Sequence, residues 1–211
     1  GQLFRAGRIA KYADTENNDW KFLIINEKDN EPVCPGGSSG HRWEKKKGNW
    51  NMNYLDPETD SPYEPLLSLL DTQDEVLAVN FTDFTSENQS KRGVPIRMMD
   101  TPEGKVPVTT VYDLIMAQYG VSRGLKGDYP TSYEDKNSAY TPAWQEIFTG
   151  ISQDNVVKFA HEWCGTAEAT DGKYMILVGA GINHWYHGNL IYRAAIMSLM
   201  LTGCVGKNGA A

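Results

Sequence analysis

The sequence predicts an α/β fold with a Rossmann-like parallel βαβ element at its carboxyl-terminal end and a β-hairpin plus loops before it. Three observations predict it. Tyr174 to Val178 is a short apolar run with no helical period, bounded by glycines, which reads as a fully buried strand. From Asn189 the apolar residues Leu190, Ala194, Met197 and Leu201 recur at spacings of three and four. Ile191, Ala195 and Ile196 widen that stripe into a helix, amphipathic or wholly buried, with Gly203 as its stop. Ile96–Met99 and Lys105–Val108 flank Asp100-Thr-Pro-Glu-Gly104, a turn sequence that marks a hairpin.

The chain in order supplies the rest. Leu3, Phe4, Ile9 and Tyr12 among Arg5, Arg8 and Lys11 predict a short amphipathic helix with a solvated basic face, fraying into the acidic stretch Asp14–Asp19. Trp20–Asn26 reads as a strand and Glu27–Glu31 as a turn rich in Asp and Asn. Pro35-Gly-Gly-Ser-Ser-Gly-His-Arg-Trp43 has glycines, hydroxyls and Arg42 that suit an anion. It lacks the G-K-[ST] ending of a P-loop, so a structured loop pinned by Trp43 is the favoured reading, and Lys45-Lys46-Lys47 is a solvated turn. Asp56–Pro65 and Glu87–Gly93 read as exposed loops. Thr109 or Thr110 caps a helix over Val111–Tyr119 that Gly120 stops, and the acidic, tyrosine-rich stretch Lys126–Tyr140 is again loop. Pro142 begins a short helix that Gly150 ends, and Ser152 caps a longer one. In that second helix Val156, Val157, Phe159, Ala160, Trp163 and Cys164 form a broad apolar face, with His161 at the surface; it is the crossover helix leading to the strand at 174–178.

Composition narrows the function. A net charge of -7 and a pI near 5.1 argue against a nucleic-acid surface. No apolar run is long enough to cross a bilayer and no signal peptide is visible. The chain opens on Gly1 and closes on Gly209-Ala-Ala inside a loop, which is the expectation for an internal fragment of a longer polypeptide. Cys34, Cys164 and Cys204 are widely separated with no C-x-x-C pair, so by themselves they build neither an iron–sulfur nor a zinc site. Reduced thiols are expected, with Cys204 a small buried hydrophobe.

Open α/β sheets bind ligands beyond the carboxyl ends of their strands. At that position Ile182–Gly188 packs Asn183, His184, Trp185, Tyr186 and His187 between glycines, and a second glycine loop, Gly203-Cys-Val-Gly206-Lys-Asn-Gly209, follows the helix. Glycines let backbone N–H groups approach a phosphate or a flat ring. Two readings stay open from the residues alone: a ligand loop, or a tight turn whose histidines are satisfied structurally. Gly179-x-Gly181 departs from the dinucleotide fingerprint, because His184 stands where the third glycine belongs. A nicotinamide dehydrogenase therefore ranks last.

The stretch GAGINHWYHGNLIYRAAIMSLMLTGCVGKNG resembles the nitrate reductase alpha-subunit branch of the DMSO reductase (molybdopterin oxidoreductase) family. The matching positions are Gly181, Asn183, His184, Gly188, Arg193, Gly203, Gly206 and Gly209. WKFLIINEKDNEPVCPGGSSGHRWEKKKGNWN, GKVPVTTVYDLIMAQYGVSRGL and the T-G-[IV]-S-x-x-x-[IV] pattern at Thr149–Val156 extend the resemblance over essentially the whole chain.

The resemblance implies that residues 1–211 are an internal fragment of a multi-domain molybdopterin oxidoreductase catalytic domain, with 141–211 its α/β cofactor-binding portion. It implies a molybdenum bis(molybdopterin guanine dinucleotide) cofactor, with a 4Fe-4S cluster and the metal ligands elsewhere in the parent subunit. On that analogy Gly179, Gly181, Asn183, His184, Gly206, Lys207 and Asn208 border the cofactor, and His184 and Asn183 serve catalysis of nitrate reduction to nitrite in anaerobic respiration. None of these residues is a metal ligand. Implied partners are nitrate, an iron–sulfur beta subunit and a haem-bearing gamma membrane subunit, which hold the alpha subunit at the cytoplasmic face of the membrane. A nitrite oxidoreductase alpha subunit, running the same oxygen transfer in reverse, and a non-catalytic α/β binding module remain as alternatives.

Overall fold

Two 3-10 turns and a short two-stranded ladder open the amino-terminal part. In the computed structural model, which describes residues 2–36, 54–85 and 88–210, the chain divides into two units, Gly1–Thr131 and Ser132–Ala211. In the first, β1 (Ile24–Asn26) pairs antiparallel with β2 (Glu31–Val33) across the expected turn. Asn26 Nδ2 donates to Asp29 Oδ1 at 2.9 Å, and Asn30 takes the left-handed conformation, φ 57, that asparagine tolerates. The strand expected over Trp20–Asn26 is shorter than its apolar run because a strand extends only as far as its ladder. Ahead of Ile24, Phe22 has an isolated bridge to Arg5. The helix expected within 1–19 is replaced by two 3-10 turns, Ala6–Arg8 and Ala10–Tyr12. Arg5 folds this segment back, donating from Nη1 to Trp20 O at 2.9 Å with its guanidinium 4.4 Å from the Phe22 ring centroid. Most of the glycine loop 35–43 and the lysine run 45–47 lie outside the described residues.

β3 (Glu75–Thr82), β4 (Gln89–Thr101) and β5 (Gly104–Val108) form an antiparallel sheet in that order. The hairpin is where the sequence places it, closing at the Thr101↔Gly104 pair. The loop expected at Glu87–Gly93 is corrected, since β4 already begins at Gln89 and pairs with β3 through Gly93↔Ala78. Its polar residues follow strand alternation: Arg92, Val94, Ile96 and Met98 share one face, and Val94 and Ile96 pack with Ala117 in the core.

Ala117 belongs to α1 (Val111–Gln118), capped by Thr110, whose hydroxyl accepts from Asp113 N at 3.0 Å. Arg92, 2% exposed, meets the other end of the helix, donating from Nη1 to Ala117 O at 2.7 Å and Gln118 O at 2.9 Å. A cation at a helix carboxyl terminus satisfies orphan carbonyls and complements the dipole. Asp113 is fully buried and receives Leu69 N at 2.9 Å, Ser68 Oγ at 2.7 Å and Arg123 Nη1 at 2.8 Å, which ties the loop before β3 to the helix.

The second unit contains α2 (Pro142–Thr149), α3 (Gln153–Thr170) and α4 (Gly188–Leu201). Three signals act as read: Pro142 opens α2, Gly150 ends it in the left-handed region at φ 70, and Ser152 caps α3; the cap of α2 is Thr141, whose hydroxyl accepts from Trp144 N. Tyr140, Trp144 and Phe148 stack along α2 with centroids 5.3 and 4.7 Å apart.

The run Tyr174–Val178 is corrected. It carries no regular secondary structure, and Leu177 is 88% exposed. Every strand among the described residues lies in the antiparallel sheets of the other unit, so the run has no ladder partner in its own. The mixed α/β class stands, while no parallel βαβ element forms among the described residues. The apolar stripe of α4 is also more open than a wholly buried helix: Leu199 is buried, whereas Leu190, Ile196 and Met200 are exposed.

Candidate functional site

The chain approaches α4 through a tight coil. A 3-10 turn covers Ala180–His184, and Ile182 N, Trp185 N and Gly188 N donate to Gly179 O, Ile182 O and Trp185 O at 3.3, 3.2 and 3.0 Å. This coil requires Gly188, because a Cβ there would collide with the Ile182 carbonyl oxygen and lie 3.6 Å from Asn183 Cα. Gly179 and Gly181 differ: a Cβ at either meets nothing within 4 Å, and neither has the positive φ that favours glycine. Nothing inside this unit demands glycine at these two positions, and their effect is to leave bare backbone at the surface.

Asn183, His184, Trp185, Tyr186 and His187 all point outward, and Tyr186 is 94% exposed. Tyr186 and His187 pack edge to face with centroids 4.5 Å apart. The Tyr192 hydroxyl, one turn into α4, donates to Asn183 Oδ1 at 2.5 Å. His184 has no hydrogen-bond partner among the described residues, so its imidazole is available to a ligand.

The second glycine loop is built differently. Gly203, Gly206 and Gly209 have φ of 69, 82 and 90, so turn geometry accounts for them. Cys204 is completely buried, as expected, and its N–H donates to Leu199 O at 2.9 Å. The loop is fastened to the end of α3, where Gly172, at φ 75, has no room for a Cβ beside Gly203 O. The Tyr174 hydroxyl hydrogen-bonds Thr202 Oγ1 in the same region. Lys207 Nζ donates to both Asp171 carboxylate oxygens at 2.9 Å and holds that carboxyl below its ordinary range. The Lys207 charge, expected to border the cofactor, is thus paired inside the chain. Asn208 is exposed.

The predicted site residues therefore fall into two groups at opposite ends of α4. Fourteen helical residues separate them, about 20 Å at 1.5 Å per residue. A small anion alone cannot touch both groups, whereas a ligand of dinucleotide length can. The donor set of the first group suits the organic part of a pyranopterin nucleotide: bare backbone at Gly179 and Gly181, the Asn183 amide and the His184 imidazole. Among the described residues no three His, Cys, Asp or Glu side chains converge to hold a metal ion. The polar depression lined by Ser132, Glu134, Asp154 and Lys158 contains none of the predicted residues. Sequence reasoning also missed Tyr192, hidden in an apolar helical stripe whose spacing gives no sign that one hydroxyl turns back to the loop.

Comparison with known proteins places the chain in a family. The molybdopterin oxidoreductase family model matches residues 11–211. The chain is 40% identical to the respiratory nitrate reductase 1 alpha chain of Escherichia coli (strain K12) over 223 residues, covering 99% of this chain and 18% of that protein. It is 39% identical to the nitrate reductase alpha chain of Bacillus subtilis (strain 168), covering 98% of this chain and 17% of that one. With the nitrate reductase alpha subunit of Mycobacterium tuberculosis (strain ATCC 25618 / H37Rv) it shares 36% identity over 99% of its length and 17% of the relative's. The chain thus spans less than a fifth of the length of these relatives. With a family match that takes in both the helices and the two glycine loops, the chain belongs to the molybdopterin oxidoreductase family.

Proposed function

We propose that this chain is part of the catalytic subunit of a respiratory nitrate reductase, which reduces nitrate to nitrite by oxygen-atom transfer at a molybdenum bis(molybdopterin guanine dinucleotide) centre in anaerobic respiration. The observation that carries the proposal is the similarity to three nitrate reductase alpha chains along at least 98% of this chain. The exposed loop agrees with it. Gly179, Gly181, Asn183 and His184 would hold one part of the cofactor, and Gly206, Lys207 and Asn208 another. When bound, the metal supplies the two-electron oxygen transfer. His184 orients nitrate or donates a proton toward the water that nitrate reduction releases, which an imidazole can do near neutral pH. Asn183 hydrogen-bonds the anion or the pterin.

The remaining parts of the proposal concern the whole enzyme. A 4Fe-4S cluster bound elsewhere in the subunit, an iron–sulfur beta subunit and a haem-bearing gamma subunit would deliver electrons, with the assembly at the cytoplasmic face of the membrane. No helix among the described residues is long and apolar enough to cross a membrane. His184→Gln in the full-length protein tests the residue assignment. Turnover with a reduced viologen dye should fall by about 10²-fold or more while molybdenum content stays normal; unchanged turnover removes His184 from catalysis.

A further inference from the structure

We infer that Tyr192 is a positioning residue that engages the carbonyl end of Asn183, so that this loop offers an amide N–H to an acceptor oxygen of the bound ligand. The inference rests on reading residues 179–188 as a ligand loop and specifies what that loop recognises. An exposed asparagine can turn its amide over and present either its carbonyl oxygen or its NH₂ group. A tyrosine hydroxyl can pair with either end, and in this structure it pairs with the oxygen. The Tyr192 hydroxyl donates to Asn183 Oδ1 at 2.5 Å, which engages the oxygen. The backbone of Asn183 is held too, because the coil lies so close over Gly188 that no Cβ fits there. Both ends of Asn183 are therefore tied to the first turn of α4. Nδ2 has no partner among the described residues, and its two protons are what the loop presents outward.

A group that presents only donors selects acceptors. It suits a nitrate oxygen, or a carbonyl or phosphate oxygen of the pterin nucleotide, and it disfavours an amine or ammonium. Those acceptors share one chemistry and come from two sources, which a kinetic and a cofactor readout separate.

The test uses the full-length protein purified with its cofactor, unaltered and as Asn183→Asp, Asn183→Ala and Tyr192→Phe. Aspartate is nearly isosteric and still accepts from Tyr192, but it replaces the NH₂ donor by an anionic oxygen. Bound molybdenum and pterin, the molybdenum EPR signal, and KM and kcat for nitrate with reduced viologen are measured for each. Asn183→Asp should be at least as damaging as Asn183→Ala, and Tyr192→Phe should move the same quantity in the same direction by less. If the acceptor is nitrate, KM rises about tenfold or more at constant cofactor content, the size expected when a partner is lost from a site built to hydrogen-bond its ligand. If the acceptor belongs to the cofactor, KM holds while cofactor is lost or the EPR signal shifts. Asn183→Asp that matches the unaltered protein in KM, cofactor content and EPR overturns the inference, as does Tyr192→Phe that lowers only the thermal midpoint. Should Asn183→Asp fail to fold, the Tyr192→Phe and Asn183→Ala double variant decides: additive effects overturn the coupling and non-additive effects support it. An unaltered protein without molybdenum overturns the functional reading and this inference together, whereas variants equal to a molybdenum-bearing protein overturn this inference alone.

Discussion

Asp113 shows how much one buried side chain can hold. It is 0% exposed, and it joins the loop at Ser68 and Leu69, the cap at Thr110 and the guanidinium of Arg123. Removing one partner of a buried pair leaves the other charge uncompensated, at a cost of about 3–5 kcal/mol. Asp113→Ala should lower the thermal midpoint accordingly, and a denaturant titration reads the loss; an unchanged midpoint would mean that Arg123 finds other partners. Gly188→Ala acts on the site through sterics. The new Cβ is forced against Ile182 O, and overpacking of this kind costs about 1–3 kcal/mol. Gly181→Ala, which meets open space, should leave stability unchanged, and measuring the pair separates a glycine the fold requires from one it does not. The sequence shows all these glycines alike. Which of them is sterically required depends on a carbonyl six residues away, and spacing does not reveal that.

At the scale of elements, caps and stops were legible because they are local chemistry. Thr110 and Ser152 each accept a backbone N–H in the first turn of the helix that follows, and Gly150 ends α2 in the left-handed region. Strands depend on partners, and there the sequence misled in both directions. Residues 89–93 look like a polar loop, yet they pair with β3 and send Arg92 to the end of α1. Tyr174–Val178 looks like a buried strand, yet its unit offers no ladder. The turn Asp56–Ser61 makes a pH-dependent prediction. Asp56 is lowered from 3.8 to about 2, chiefly by the Tyr63 hydroxyl at 2.5 Å and then by the N–H groups of Glu58 and Thr59. A carboxyl whose folded pKa lies below its unfolded value stabilises the fold fully above the unfolded value and loses that contribution as pH falls through the folded one. The turn should therefore hold above pH 4 and loosen between about pH 4 and 2, and NMR titration of Asp56 follows it. Tyr63→Phe should return the carboxyl toward its ordinary range; an unmoved titration would contradict the assignment.

Across the whole molecule, the second unit leaves much apolar surface in the open, with Phe159, Leu177, Trp185, Tyr186 and Met200 all exposed. The chain spans 17% to 18% of the length of its nitrate reductase relatives. The 211-residue chain produced alone should therefore bind a hydrophobic dye strongly and show no nitrate turnover. Dye binding equal to that of a well-folded soluble standard would argue that these faces are covered within the chain. The placement of the candidate site residues was half legible. Residue types named the loop, but its division into two groups about 20 Å apart follows from the helix between them. The central claim is tested most directly by measuring molybdenum in the full-length protein together with nitrate-dependent oxidation of a reduced viologen dye. The account predicts bound molybdenum and turnover that depends on nitrate; a folded, fully matured protein with neither would contradict it.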